Sequence, residues 1–524
     1  MKELIIMNGE TTDNKQWQRP PVMNPAWQNP VKQPVTYYNM GTKDIVFFVL
    51  GLILCVAAVP LTLWGGFKSG FTVSYAAVFV LFTVYLVQKG ARPGLFGTIA
   101  GVLSLLGSGV FAYSSNGSVN FFLFLLVFIN AVIWFSSLCG LKDSKTDMGF
   151  LFSAVGRPFA WAFGKMPKMF RSVFSSNGEK TRTAGKTIIG LVCAVPVLIA
   201  VTLLLASADA AFESVLGKFT GAELVVKIVT GLIFAPFILS FFFALKKEDK
   251  KEYDGKPFGG MKENVYIISF LGVICAVYLL YLFSQFAYVT SALSGILPEK
   301  VLPAEYARRG FFEMCIIAGI NLALVYLAQY LMGKQAKGRG AVKGECTFIC
   351  LFTLFIIATA IAKMVIYINR FGMTELRICT SVFMLFIAVA FIALVVRLYV
   401  NNVPVFRIAA TWATVLLIAL GAVNIDAFVA EYNVDAFLDG RLSHVDIEKL
   451  EELDLAAVPA LIKLENEGFK SSEINNAYSL KARQALIRLN SKYFSEGEYN
   501  KSPEPGSWNY SDYRGKTELK KHFK

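Results

Sequence analysis

A chain of 524 residues that is 55% hydrophobic and 17% charged, with 45 Phe and 21 Tyr, is too apolar for one soluble core of ordinary composition. It reads as an all-α, polytopic membrane protein. The net charge of +14 calls for no nucleic acid, because anionic lipid headgroups on the cytoplasmic face attract the same charge. The only two histidines, His444 and His522, lie beyond the last apolar segment, which excludes a His-ligated metal, a haem or a histidine base inside the membrane.

No metal, other cofactor or catalytic set is expected. Eight cysteines, all in or beside apolar segments, argue against a disulfide framework.

Residues 1–44 lack a signal-peptide core and carry the proline-dense run RPPVMNPAWQNPVKQP (Arg19 to Pro34), so they read as a disordered cytoplasmic tail. Four spans follow in a first membrane bundle, 45–139: Ile45–Trp64, Phe71–Val87, Leu95–Tyr113 and Val119–Cys139. A basic amphipathic cytoplasmic loop, 140–186, alternates aromatics with Arg157, Lys165, Lys168 and Arg171 and reads as an interfacial helix interrupted by prolines.

A second bundle, 187–423, holds seven spans: Thr187–Ala206, Leu224–Leu245, Val265–Val289, Phe311–Met332, Thr347–Ile368, Ile378–Val400 and Val405–Val423. Pro60, Pro196 and Pro236 interrupt three of the eleven spans. Such breaks expose backbone to a transported solute or serve packing alone. The TAGKT run (Thr183 to Thr187) is not a phosphate loop, because Lys180 stands where that motif needs glycine and no strand precedes it. Asn130, Asn321 and Gln329 are expected to hydrogen-bond neighbouring helices.

Counting Lys and Arg with the N-terminal tail inside gives 26 on inner segments and 7 on outer loops. The excess marks the cytoplasmic face, so the N-terminus is cytoplasmic and an odd number of spans leaves the C-terminus extracytoplasmic. Residues 424–500 read as a helical cap on that outer face, with Pro459 interrupting its first helical stretch, and 501–524 as a loosely ordered tail.

Three polar clusters share the outer side. YARRGFFEM opens the eighth span with Tyr306, Arg308, Arg309 and Glu313, Glu313 one turn beyond Arg309. YINRFGMTELR joins the ninth and tenth spans with Tyr367, Asn369, Arg370, Glu375 and Arg377, and Thr374 reads as a helix cap. NIDAFVAEYNVDAF follows the last span with Asp426 and Asp435. A charge at the hydrocarbon edge is costly without a partner. The four arginines are therefore expected to meet Glu313, Glu375, Asp426 and Asp435, either as a structural network or as a site for an anionic solute, lipid headgroup or cell-wall precursor.

YARRGFFE before one span, RFGMTELR after the next, and YNVDAF with VDIEKLEELDLAAVPAL after the last resemble a family of bacterial multispanning membrane proteins, common in Firmicutes. That family is catalogued as the domain of unknown function DUF4173, with the related DUF4153. The resemblance covers approximately the second half of the chain. Tyr306, Arg308, Gly310 and Glu313 fit its pattern, whereas Arg309 falls at a variable place. It implies a multi-pass protein of the bacterial cell membrane and supplies no chemistry.

Two functional readings result. The first is a non-enzymatic protein that binds a ligand, lipid headgroup or membrane-protein partner at its outer face, as a transporter or envelope sensor. The second is a membrane enzyme acting on a lipid-linked or phosphate-bearing substrate, with Glu313 or Asp426 as base.

Overall fold

A computed structural model describes residues 41–87, 93–140, 156–174, 221–247, 263–293, 303–333, 337–400, 403–468, 473–494 and 506–524. The expected N-terminal tail, apart from its last four residues, and the expected span Thr187–Ala206 lie outside them.

Long apolar runs have no water to satisfy their backbone, so each closes its own hydrogen bonds as a helix. The first four are α1 (Thr42–Trp64), α2 (Ser69–Val87), α3 (Leu95–Tyr113) and α4 (Gly117–Leu138). Two short helices follow, α5 (Arg157–Gly164) and α6 (Met166–Phe174), then α7 (Gly221–Lys247) and α8 (Val265–Leu293). The later long helices are α9 (Pro303–Leu331), α10 (Arg339–Phe371), α11 (Glu375–Tyr399) and α12 (Val405–Val423). Among the described residues ten helices, α1–α4 and α7–α12, are long and apolar enough to cross a membrane. The protein is an all-α, multi-pass membrane protein.

Packing does not follow the chain-order division at residue 187. α7, which that division puts with the later spans, lies against α1. A Cβ on Gly231 of α7 would stand 2.6 Å from the Val56 backbone of α1, so the two helices approach as closely as only a small residue allows. α1 and α7 run through Pro60 and Pro236 as continuous helices.

One core joins α2, α4 and α7 through Phe79, Phe82, Phe135, Phe242 and Leu245, with Met169 of α6 buried in it and Phe47 and Leu52 of α1 packed against it. A second joins α8 to α11 through Leu271, Met314, Ile349, Ile357, Phe391 and Leu394. α12 bridges them: Asn130 of α4 donates to Thr414 Oγ1 at 2.8 Å, and α11 packs on its other side. In the second core Asn321 accepts from the Tyr278 hydroxyl at 2.6 Å and donates to Thr353 Oγ1 at 2.9 Å, tying α8, α9 and α10 as expected of a buried amide in lipid.

The cap comprises α13 (Ile425–Leu438), α14 (Ile447–Glu452), a 3-10 turn (Asp454–Ala457), α15 (Val458–Gly468), α16 (Glu473–Phe494) and α17 (Tyr510–His522). Pro459 sits in the first turn of α15, where its missing N–H costs nothing, so it starts a helix rather than interrupting one. Val434, Leu450, Leu461, Leu464, Leu486 and Leu519 form the core. Leu519 belongs to the stretch expected to be loose. Residues 510–522 are instead a helix capped by Asn509, whose Oδ1 accepts from Ser511 N at 2.9 Å. The mean polarity of that stretch concealed a buried side.

Charged pairs trim the cap surface. Arg488 grips Glu451 through a two-bond fork of 2.8 and 2.6 Å and holds that carboxyl below the usual range. His522 Nε2 lies 2.8 Å from Glu465 Oε2.

Candidate functional site

The cap meets the bundle at one end, where the α1–α2, α3–α4 and α10–α11 turns come together. Three hydrogen-bonding systems make the joint.

The first is a strap. Residues 506–508 lie along the start of α2, with Ser69 N donating to Trp508 O at 3.1 Å and Gly70 N to Gly506 O at 2.9 Å. Gly506 has φ +87°, and a Cβ there would stand 2.8 Å from Gly70 Cα, so the close approach needs glycine on both counts. Lys68 pairs with Asp512 at 2.5 Å, Asn509 Nδ2 donates to Phe111 O at 3.1 Å, and Tyr113 stacks on Tyr510 with centroids 5.1 Å apart.

The second surrounds Asp426. α12 turns into α13 at Asn424, held at φ +54°, the left-handed region asparagine tolerates. Asp426, in the first turn of α13, is 9% exposed, and its Oδ1 accepts from Asn116 Nδ2 at 2.8 Å. Asn116 in turn caps α4, its Oδ1 accepting from Val119 N at 2.9 Å. Asn424 Nδ2 donates to Ser511 Oγ at 2.9 Å, while Asn424 Oδ1 is buried with no hydrogen-bond partner among the described residues. Burial pushes the Asp426 carboxyl up to about 6; the Asn116 hydrogen bond opposes this and the charge of Glu375 adds to it.

The third is Asn433 of α13. Its Oδ1 accepts from Met373 N at 2.6 Å and its Nδ2 donates to Met373 O at 2.7 Å, pairing with the α10–α11 turn as a strand would. Thr374 caps α11, accepting from Arg377 N at 3.4 Å.

Three members of the expected arginine–carboxylate network, Arg377, Asp426 and Asp435, have other partners. Arg377 donates to the carbonyls of Phe371, at 3.0 Å, and Gly372, and its guanidinium lies 4.1 Å from the Tyr367 ring centroid. The α10 C-terminus offers carbonyls that any cation satisfies, and Arg377 is nearer to them in sequence than to any carboxylate of the cap. Asp435 pairs with Lys463 at 2.8 Å and Asp426 with Asn116, and among the described residues neither meets an arginine. Arg370 and Asn369 are exposed, and Glu375 is half-buried. Glu313 is exposed on α9. The side chains of Tyr306, Arg308 and Arg309 lie outside the described residues. The start of α9 is nevertheless at this end, because the Phe311 ring lies 6.4 Å from Phe383 in the early part of α11.

The residues that carry the joint, Asn116, Asn424, Asn433, Asn509 and Ser511, were not singled out by the sequence. Each is a single amide or hydroxyl whose partner is tens to hundreds of positions away. Only Asn116, Asn424 and Asn509, next to helix starts, carry a local signal.

The family model for the domain of unknown function DUF4153 matches residues 76–464, well over half of the chain, and the chain belongs to that family. The match takes in all the motifs of the resemblance and begins much earlier than they do, so the family region includes α3, α4 and α7. No curated protein and no solved structure matches the chain.

Proposed function

We propose that this protein is a non-enzymatic sensor or regulator of the bacterial cell envelope, whose cap-bearing end faces outward and binds a ligand or protein partner. The observation that carries this reading is the joint itself: one buried carboxylate, Asp426, stands where the cap meets the α3–α4 turn and the start of α11. A cap tied to three turns of the bundle transmits a load on its surface to α1–α4 and α10–α12 together. The orientation rests on the excess of Lys and Arg at the opposite end. At that opposite end α6, with Lys168 and Arg171 on a helix whose Met169 is buried against the bundle, fits the chemistry of anionic lipid headgroups.

Two measurements test the reading. In a background without native cysteines, Ser443→Cys, exposed on the cap, is expected to react with a membrane-impermeant thiol reagent in intact cells, and Lys337→Cys, exposed at the other end, only after lysis. Asn433→Ala, inserted at normal level, is expected to fail to restore the envelope phenotype of a deletion strain. Reversed labelling contradicts the orientation, and full complementation contradicts the transmitting role of the joint.

A further inference from the structure

At the end of the bundle remote from the cap, α1, α2 and α7 enclose a pocket lined by Asp44, Phe47, Phe48, Phe82, Tyr85 and Phe242, among others. Asp44 is 7% exposed. Its Oδ2 accepts from Gly41 N at 3.1 Å and its Oδ1 from the Tyr85 hydroxyl at 3.2 Å. Lys246, in the last turn of α7, reaches in from the rim: its ammonium stands 3.2 Å from Asp44 Oδ1 and 3.7 Å from the Tyr85 ring centroid. Phe47 packs on Tyr85 at 5.0 Å, and Phe82 stacks on Phe242.

Aromatic faces closing on one carboxylate are the chemistry by which proteins hold an organic ammonium. The rings replace part of its hydration through their negative faces, and the carboxylate supplies the counter-charge. We propose that this pocket is a binding site for a primary alkylammonium and that Lys246 is its tethered occupant. The tether gives Lys246 an effective concentration that a dilute free ligand does not match. A ligand presented at high local density does, and the level of the pocket, at the first turns of α1 and the last of α7, is that of lipid headgroups. The shared chemistry is R–NH3+, from an ethanolamine-type lipid headgroup or a soluble amine.

The test is chemical rescue of the full chain. Lys246→Ala removes the ammonium and the outer stem, leaving room for a short alkylammonium, and in detergent it is expected to melt several degrees lower than the parent. Millimolar ethylammonium chloride is expected to restore most of that loss, equal sodium chloride to restore none, and the parent to respond little. Reconstitution in phosphatidylethanolamine vesicles, against phosphatidylcholine vesicles, distinguishes the sources. Rescue by the vesicles identifies the lipid headgroup, and rescue by ethylammonium alone identifies a soluble amine. Asp44→Asn combined with Lys246→Ala is expected to lose the rescue. If Lys246→Ala does not accumulate, expression and purification with ethylammonium throughout gives the same reading, recovery supporting the site. Absence of rescue from every ammonium source, or equal rescue of the double variant, overturns the proposal.

Discussion

The α1–α7 contact and the cap joint hold helices together by opposite means. Inside the bundle, Gly231 lets the α7 backbone rest on Val56 and the surrounding surface is aromatic and aliphatic. Lipid tails are as apolar as leucine, so only closeness of packing favours helix against helix there. At the joint, water and headgroups compete for every polar group. Association therefore depends on burying amides and a carboxylate in mutual hydrogen bonds, as Asn116, Asn424, Asp426, Asn509 and Ser511 do. The lesson is that the bundle is sensitive to volume and the joint to hydrogen-bond chemistry.

Substitutions sharpen that contrast, beginning with the largest effect. Gly231→Leu puts a side chain into the Val56 backbone and is expected to cost about 3 kcal/mol or more, read as loss of monodisperse protein in detergent. A variant that melts like the parent would show that α1 and α7 are not in close contact. Asn116→Ala removes both the α4 cap and the donor on a buried carboxylate, with an expected loss of about 2–3 kcal/mol by thermal unfolding. Asn433→Ala breaks two bonds to the α10–α11 turn and is expected to cost about 1–2 kcal/mol, with faster hydrogen exchange confined to that turn and α13. Lys68→Ala removes a partly exposed ion pair, for which less than about 1 kcal/mol is expected, shrinking further with added salt.

The ten described spans were legible because their signal is local. Two of them, Leu95–Tyr113 and Val405–Val423, have the bounds that apolar content alone marks out. α10 runs from Arg339 to Phe371, well beyond the apolar Thr347–Ile368, because Lys and Arg near helix ends reach the interface without ending the helix. That the cap-end turns and the C-terminal region share one side was also readable, from alternation of charge. What was not readable was partnership. Arg377 turned to the carbonyls of its own turn, Asp426 to an amide 310 positions away, and residues 510–522 to a buried slot under the 3-10 turn. In that slot Gly515 abuts the Leu455 carbonyl and leaves no room for a Cβ. Opposite charges on one face suggest pairs, but the backbone and uncharged amides compete for the same groups, and only the fold decides among them.

The central claim, that a buried and raised carboxylate sits in the joint, is tested most directly by the pH dependence of unfolding for the parent and Asp426→Asn. A carboxyl at about 6 in the folded chain, against roughly 4 when unfolded, binds its proton more tightly folded. Its stabilising contribution is then fully present below about pH 4 and lost as pH rises through about 6. The charge of Glu375 adds to that shift. Asp426→Asn keeps an acceptor for Asn116 and removes the charge. The account predicts that it melts above the parent at pH 7, by about 1–2 kcal/mol of stability, and that the difference closes and reverses towards pH 4. Parallel profiles across that range, or a variant less stable at pH 7, would contradict it.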